Sequence, residues 1–252
     1  MAFANPLLAA WRAGKPTFGF WSSTANPGLS EYAATTGVDW ILWDQQHGQV
    51  ADPDLAGVFR TCLGQSVVPL ARVGANDALL IGRALDAGAF GVVVPLVNTA
   101  EEAARAVSAC RYPPDGTRSF GPNRVTLAMG SLEPAVIQDV ACIVMIETAQ
   151  GLANAEAIAA TRGVDGILIG PSDLALGLGL HPTDRGRTHA DAVVHILAAC
   201  RASGVAAGIV LVDGTTARAH ADMGFQFISC ATDIGLIVSG LTRELAIARG
   251  RG

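Results

Sequence analysis

The stretch Cys142–Asp173 reads CIVMIET, then an Ala/Gly-rich run to Arg162, then VDGILIGPSD. Two short apolar runs each end in a carboxylate, Glu147 after IVMI and Asp173 after ILIGPS. Apolar runs this short, separated by a helix-length segment, read as parallel strands joined by a crossover helix. In a parallel α/β fold both strands point the same way, so the two carboxylates emerge at the same rim. With no cysteine or histidine near them in sequence, they suit a hard divalent cation such as Mg²⁺ or Mn²⁺. Taken singly, Glu147 also fits an ion pair with an arginine, and Asp173 a cap on the following helix.

The same alternation extends in both directions. TFGFWSS (17–23) is strand-like, and Asn26-Pro27 opens a helix that runs to about Thr36. WILWD (40–44) is the second strand, followed by a helix opening at Asp52-Pro53. VVPLARV (67–73) precedes a helix capped by Asn76 and ended by Gly88. FGVVVPLV (90–97) precedes a capping box formed by Thr99 and Glu102. After the loop YPPDGTRSFGPNR (112–124) come the two strands already described and a helix over about 188–203. AAGIVLV (206–212), a helix from Asp213, FQFISCA (225–231) and a last helix to about Ala248 complete the chain. Eight strand–helix units with continuous Val/Ile/Leu strands predict an α/β fold with both sheet faces buried, a single (β/α)₈ TIM barrel over residues 1–252. No glycine-rich dinucleotide fingerprint follows the first strand, which argues against an open doubly wound sheet.

Composition narrows the function classes. Of 252 residues, 50% are hydrophobic and 15% charged, enough for a large core. No apolar run approaches the ~20 residues of a membrane span, and the N-terminus lacks the pattern of a signal peptide. The five cysteines, an odd number without CxxC or Cys/His clustering, predict reduced core thiols and a cytoplasmic protein. Net charge is −5 with no basic run, so nucleic acid is not an expected partner. Lys15 is the sole lysine, in a turn-like GKPT context before the first strand. Schiff-base chemistry needs a desolvated lysine inside the site, and this chain offers none.

In a barrel the residues just after the strands form the catalytic face. They are Trp21, Asp44, His47, Arg72, Pro95, Glu147, Asp173 and Asp213. Trp21 reads as a pocket wall or as core. His47 follows a strand in WDQQHG, three residues after Asp44, and a histidine tuned by a carboxylate suits proton transfer near neutral pH. Arg72 ends a strand, where a buried guanidinium needs an anion, either a substrate or an ion pair with Glu147 or Asp86. The last helix, rich in Leu, Ile and Val, carries more apolar surface than one barrel needs and predicts a homo-oligomer.

These residues carry a family resemblance. WDQQHG, LAR, LDAGAFGVVVPLV, RYPPDGTRSFG, MIET and GVDGILIGPSDL together resemble the class II, metal-dependent pyruvate aldolases of the HpcH/HpaI type, over nearly the whole chain. The resemblance implies that Glu147 and Asp173 hold the metal (Mg²⁺, Mn²⁺ or Co²⁺) and that His47 with Asp44 forms an acid/base dyad. It further implies that Arg72 contacts the keto oxygen, that Asp86 supports the histidine, and that the Gly170-Pro171-Ser172 turn receives the substrate carboxylate. The implied reaction is aldol addition or retro-aldol cleavage with a 2-oxo acid as enolate donor and an aldehyde as acceptor. The implied assembly is a hexamer whose sites borrow residues from a neighbouring subunit. Two positions depart from the family pattern, Gln46 for a frequent glutamate and Met145 for a frequent glutamine, and they bear on substrate preference. The alternatives are a decarboxylase of oxaloacetate-type acids, an acyl-CoA lyase using a basic rim (Arg118, Arg124, Arg185, Arg187), and a non-catalytic 2-oxo-acid-binding barrel.

Overall fold

Eight parallel strands close on themselves in sequence order: β1 (Thr17–Ser22), β2 (Trp40–Asp44), β3 (Val68–Arg72), β4 (Gly91–Val94), β5 (Ala141–Ile146), β6 (Gly166–Ile169), β7 (Ala206–Ile209) and β8 (Phe227–Thr232). Each strand pairs with the next, and β8 returns to β1. The computed structural model describes residues 4–251; the outermost parts of the predicted 1–252 domain, residues 1–3 and 252, lie outside the described residues. Around the barrel run α2 (Pro27–Ala34), α3 (Asp52–Phe59), α4 (Ala78–Asp86), α5 (Ala100–Cys110), α8 (Ala149–Ala153), α9 (Ala155–Ala159), α11 (Arg187–Ser203) and α12 (Gly214–Asp222). Three shorter helices, α6 (Val125–Met129), α7 (Pro134–Ile137) and α10 (Pro171–Gly177), lie in connections. The architecture is the (β/α)₈ barrel that the strand–helix order predicts.

Strands β2 to β7 are buried on both faces, and β1 and β8 nearly so, with Phe18 and the end of β8 from Cys230 half-buried, which explains why the strands read as apolar runs. Alternate residues fill two separate cores. Trp40 and Leu42 of β2, Val68 and Leu70 of β3, Ile143 and Met145 of β5, and Phe227 of β8 belong to the inner core. Ile41, Trp43, Ala71, Cys142, Val144 and Ile146 pack outward beneath the helices. An N-terminal helix that the periodicity did not announce, α1 (Pro6–Arg12), closes the amino end of the barrel. Its Leu7, Leu8 and Trp11 join the inner core, with the Trp11 ring 5.3 Å from Phe227. Asn5 fixes this plug by donating to the Phe90 and Asp139 carbonyls.

Local chemistry shifted several boundaries. The cap of α4 is Asp77 rather than Asn76: its carboxylate accepts from the amides of Leu79 and Leu80, while Asn76 donates to the Glu102 carbonyl. Asp and Asn are equivalent caps, and the connection from β3 needs one more extended residue. Thr99 caps α5 as read, but Glu102 reaches back to the Asn98 amide, one residue beyond the usual box. The Ala/Gly-rich run to Arg162 is two short helices, α8 and α9, broken where the Asn154 side chain donates to the Asn98 carbonyl. All five cysteines are free, four of them buried and Cys230 half-buried. No helix among the described residues is long and apolar enough to cross a membrane.

The last helix, α13 (Asp233–Ala248), stands apart. Only Asp233 is buried. Seven apolar side chains, Ile234, Leu236, Ile237, Val238, Leu241, Leu245 and Ile247, are each 49–59% exposed.

Candidate active site

Counting by twos along β2 and β3 places Asp44 and Arg72 on the inner face, one step above Leu42 and Leu70, and the two stand opposite each other in register. Parity alone therefore brings an aspartate and an arginine together at the carboxyl mouth of the barrel. Arg72 donates from Nε to Asp44 Oδ1 (2.8 Å) and from Nη2 to Oδ2 (2.5 Å). This two-pronged pair is nearly wholly buried. The guanidinium also lies 4.8 Å above the Trp21 ring, whose Nε1 is 3.4 Å from Asp44 Oδ2. Only Nη1 is left for other work; among the described residues its one hydrogen-bond contact is Met145 Sδ at 3.9 Å. Burial alone would raise the Asp44 carboxyl, but the hydrogen bonds and charge of Arg72, with the amides of His47 and Gln46, hold it below the usual carboxylate range.

The same parity carries β5 from Met145 to Glu147, and β6 from Leu168 to Gly170, on adjacent strands. Glu147 is buried. Its Oε1 accepts from the Leu96 amide (2.8 Å), which the left-handed backbone of Leu96 (φ 55°) aims at it. Among the described residues its Oε2 has no hydrogen bond and the side chain no ion pair. A Cβ on residue 170 would lie 2.5 Å from that Oε2, so only glycine lets the carboxylate occupy this place. Burial raises the Glu147 carboxyl, the nearby charge of Asp173 raises it further, and Leu96, Arg72 and His47 only partly oppose them. Asp173 itself is exposed in the first turn of α10. Two carboxylates that repel each other, one buried without a cation and with a bare oxygen, fit a hard divalent ion that keeps several water ligands. Among the described residues no cluster of three or more acidic, histidine or cysteine side chains offers a fuller cage.

His47 sits in the exposed loop between β2 and α3. Asp44 reaches it through the backbone, Oδ1 accepting from the amides of Gln46 (3.0 Å) and His47 (3.2 Å). The expected side-chain dyad is thus replaced, in the single chain, by a carboxylate that anchors the loop, because Arg72 occupies both Asp44 oxygens. Asp86 is not brought to His47 either. It ends α4 at the opposite rim and pairs with Arg118 at 2.6 Å. The loop 112–124 follows α5 and lies at that same amino rim, so neither it nor its Arg118 and Arg124 overhang this chain's own site. Of the four basic rim candidates only Arg185 and Arg187 remain near it, and Arg185 reaches Ser172 Oγ at 3.4 Å. Lys15 is exposed, before β1. A groove of about 690 Å³ between α1, α5 and α7 also lies at the amino rim, its Arg111 offset by Asp165.

Three residues of the rim escaped the sequence reading. Leu96 contributes only its amide, which no side-chain pattern reveals. His189, buried on α11, meets the Pro171 carbonyl through Nε2 (3.0 Å) and so holds the Gly170-Pro171-Ser172 turn. Burial lowers its basicity, against the pull of that carbonyl. Asp233 follows β8, and applying the end-of-strand rule to the last strand would have found it.

A closed barrel with an arginine, two carboxylates and a histidine gathered at the carboxyl ends of its strands is the frame of a TIM-barrel enzyme whose site lies at that mouth. The chain belongs to the HpcH/HpaI aldolase/citrate lyase family, whose model matches residues 17–240. It is 37% identical over 250 residues to a hydroxypyruvate/pyruvate aldolase of Delftia acidovorans, covering 97% of this chain and 91% of the relative. It is 34% identical to a 5-keto-4-deoxy-D-glucarate aldolase of Escherichia fergusonii, covering 96% and 95%. A solved family member from Burkholderia cenocepacia J2315 superimposes with a TM-score of 0.91 at 32% identity, covering 98% of this chain and 100% of that one. The protein is an enzyme of the aldolase type, a carbon–carbon lyase.

Proposed function

We propose that the protein catalyses divalent-metal-dependent aldol addition and retro-aldol cleavage, with pyruvate or a related 2-oxo acid as the enolate donor and an aldehyde as the acceptor. The observation that carries this reading is the juxtaposition of Arg72 Nη1, free of Asp44, with the bare Glu147 Oε2 at one mouth. Glu147 and Asp173 would hold Mg²⁺, Mn²⁺ or Co²⁺, which supplies Lewis acidity toward a bound keto oxygen. Arg72 Nη1 donates to the oxygen that gains negative charge as the enolate develops, and its orientation is preset by Asp44 and Trp21. The Gly170-Pro171-Ser172 turn, steadied by His189, takes the substrate carboxylate, and Trp21 walls the pocket. Through a water, His47 takes a methyl proton from pyruvate and gives it to the acceptor oxygen in addition; in cleavage it takes the hydroxyl proton and returns it to the enolate carbon.

The enzyme works as a homo-oligomer, a hexamer by family resemblance, in the cytoplasm. The bare apolar length of α13 supports association. The place of Asp86 supports it too: a carboxylate at the far rim cannot serve its own His47, so it acts on the histidine of a neighbouring subunit.

Exchange of pyruvate methyl protons in D₂O tests the enolate half-reaction without any aldehyde. Exchange is expected with a divalent cation, to be lost with chelator, and to fall ~10²-fold or more in Arg72→Ala. Absence of exchange with Mg²⁺, Mn²⁺ and Co²⁺ alike would overturn the assignment.

A further inference from the structure

Asp233 is the one buried residue of α13, yet it does not cap that helix. Thr232 does so, accepting from the Gly235 amide at 3.0 Å. The Asp233 carboxylate faces the start of the β1–α2 connection instead. Its Oδ2 accepts from Ser22 Oγ (3.1 Å), the Ser23 amide (2.9 Å), the Thr24 amide (2.9 Å) and Thr24 Oγ1 (2.9 Å). Its Oδ1 takes the Ile234 amide at 2.8 Å. No cation pairs with it among the described residues, so backbone and hydroxyl donors alone satisfy the charge.

The segment held in this way touches the His47 loop directly. The Ser23 carbonyl accepts from the Gln49 amide at 2.7 Å, and Thr24 pairs with Gln49 as an isolated parallel bridge. Gly48 is wedged between the two sides: a Cβ there would stand 2.3 Å from the Asp44 carbonyl and 2.8 Å from the Ser23 carbonyl. The loop that carries His47 is thus held at His47 by Asp44 and two residues on, at Gln49, by Ser23, whose own place is set by Asp233. We propose that Asp233 is a positioning residue, which holds the β1 connection against residues 47–49 and so sets where the His47 imidazole stands over the mouth. This rests on the reading of His47 as the proton carrier. An ångström of misplacement in such a group slows a reaction by ~10²-fold.

Two measurements on the full-length protein decide it. The first is amide hydrogen exchange over residues 44–50, which needs no activity. Asp233→Ala is expected to strip protection from this segment while the neighbouring β2 strand keeps its own. Unchanged protection would overturn the proposal whatever the enzyme does. The second is pyruvate proton exchange in D₂O with Mg²⁺, in the native and His47→Asn backgrounds. Asp233→Ala should lower the maximal rate ~10–100-fold with little change in KM, and should lower it no further once His47 is gone. An equal loss in both backgrounds, or a loss confined to KM, would mark a merely structural residue and refute the role. If Asp233→Ala does not fold, Thr24→Val removes one donor and keeps the carboxylate. It should give a smaller loss in both measurements, again only where His47 is present, and native behaviour in both would refute the role. A native enzyme without any exchange would sink the aldolase reading instead, and the protection measurement would still decide whether Asp233 holds the loop.

Discussion

Asp44 and Arg72 neutralise each other in a place that water scarcely reaches, so neither can be removed alone without leaving a bare charge. Asp44→Ala is expected to cost about 3–5 kcal/mol of stability, read as a lower urea midpoint, because the guanidinium stays buried without its anion. The sign of the pH dependence follows from the depressed Asp44 carboxyl. The stability it lends is complete above the unfolded value of 3.8 and is lost as pH falls through the lower folded one. Glu147 runs the other way. Its folded pKa lies above the ordinary 4.5, so in the metal-free protein its charge costs stability as pH rises through that raised value. Glu147→Gln should therefore raise the Tm of the metal-free protein at neutral pH, by about 2–4 °C for each kcal/mol released. The same variant should abolish the further rise that a divalent cation gives the native enzyme; a variant whose Tm still climbs with Mn²⁺ would remove Glu147 from the metal site. Much of this was legible in the letters, because Asp44, Arg72 and Glu147 each end a strand of fixed parity. What was not legible is which partner wins. His47 and Arg72 both compete for Asp44, and only the register of β2 on β3 decides for the arginine.

At the scale of elements, strands were the easiest to read, since a run of Val, Ile and Leu buried on both faces has few other interpretations. Helix ends were harder. Asn76 and Asp77 are chemically equal caps in adjacent positions, and the choice depends on how far β3 carries the chain before it turns. The plug α1 escaped because a seven-residue helix shows too little periodicity, and its apolar face becomes meaningful only against the open end of a barrel. The junction of β6 with α10 shows what an element boundary can do for chemistry. Gly170 sits between them because a side chain there would collide with Glu147 Oε2 at 2.5 Å and crowd the Met145 methyl at 3.1 Å. Gly170→Ala should leave far-UV circular dichroism unchanged and push the carboxylate out of place. Metal affinity, measured by calorimetric titration, is expected to fall ~10–100-fold, the range seen when the partners that orient metal ligands are lost. An unaltered affinity would show that Glu147 binds the ion from some other rotamer.

For the whole molecule the deciding fact is that its last helix coats nothing. A helix packed on its own barrel buries an apolar stripe, as α5 and α11 do with Ala103, Ala106, Ile196 and Leu197. In α13 the apolar residues stay bare, while the N-terminal Asp233 is held tightly to the β1 connection. The helix is thus anchored at one end and unpartnered along its length. In the oligomer proposed above, another copy of the chain would supply the surface it needs. Native protein should therefore run as a single oligomeric species in light scattering at working concentration, and a monodisperse monomer would overturn this. A charge at the middle of the helix tests the surface itself. Burying a leucine contributes about 1.5–3 kcal/mol, so Leu241→Glu forfeits at least that much at each contact. The dissociation constant should rise by ~10- to 10²-fold or more. Because Asp86 lies too far from its own His47 to serve it, pyruvate exchange should decline as the oligomer dissociates and recover as protein concentration is raised. A dissociated variant with full activity at every concentration would show that each barrel holds a complete site, and would free Asp86 from any part in it.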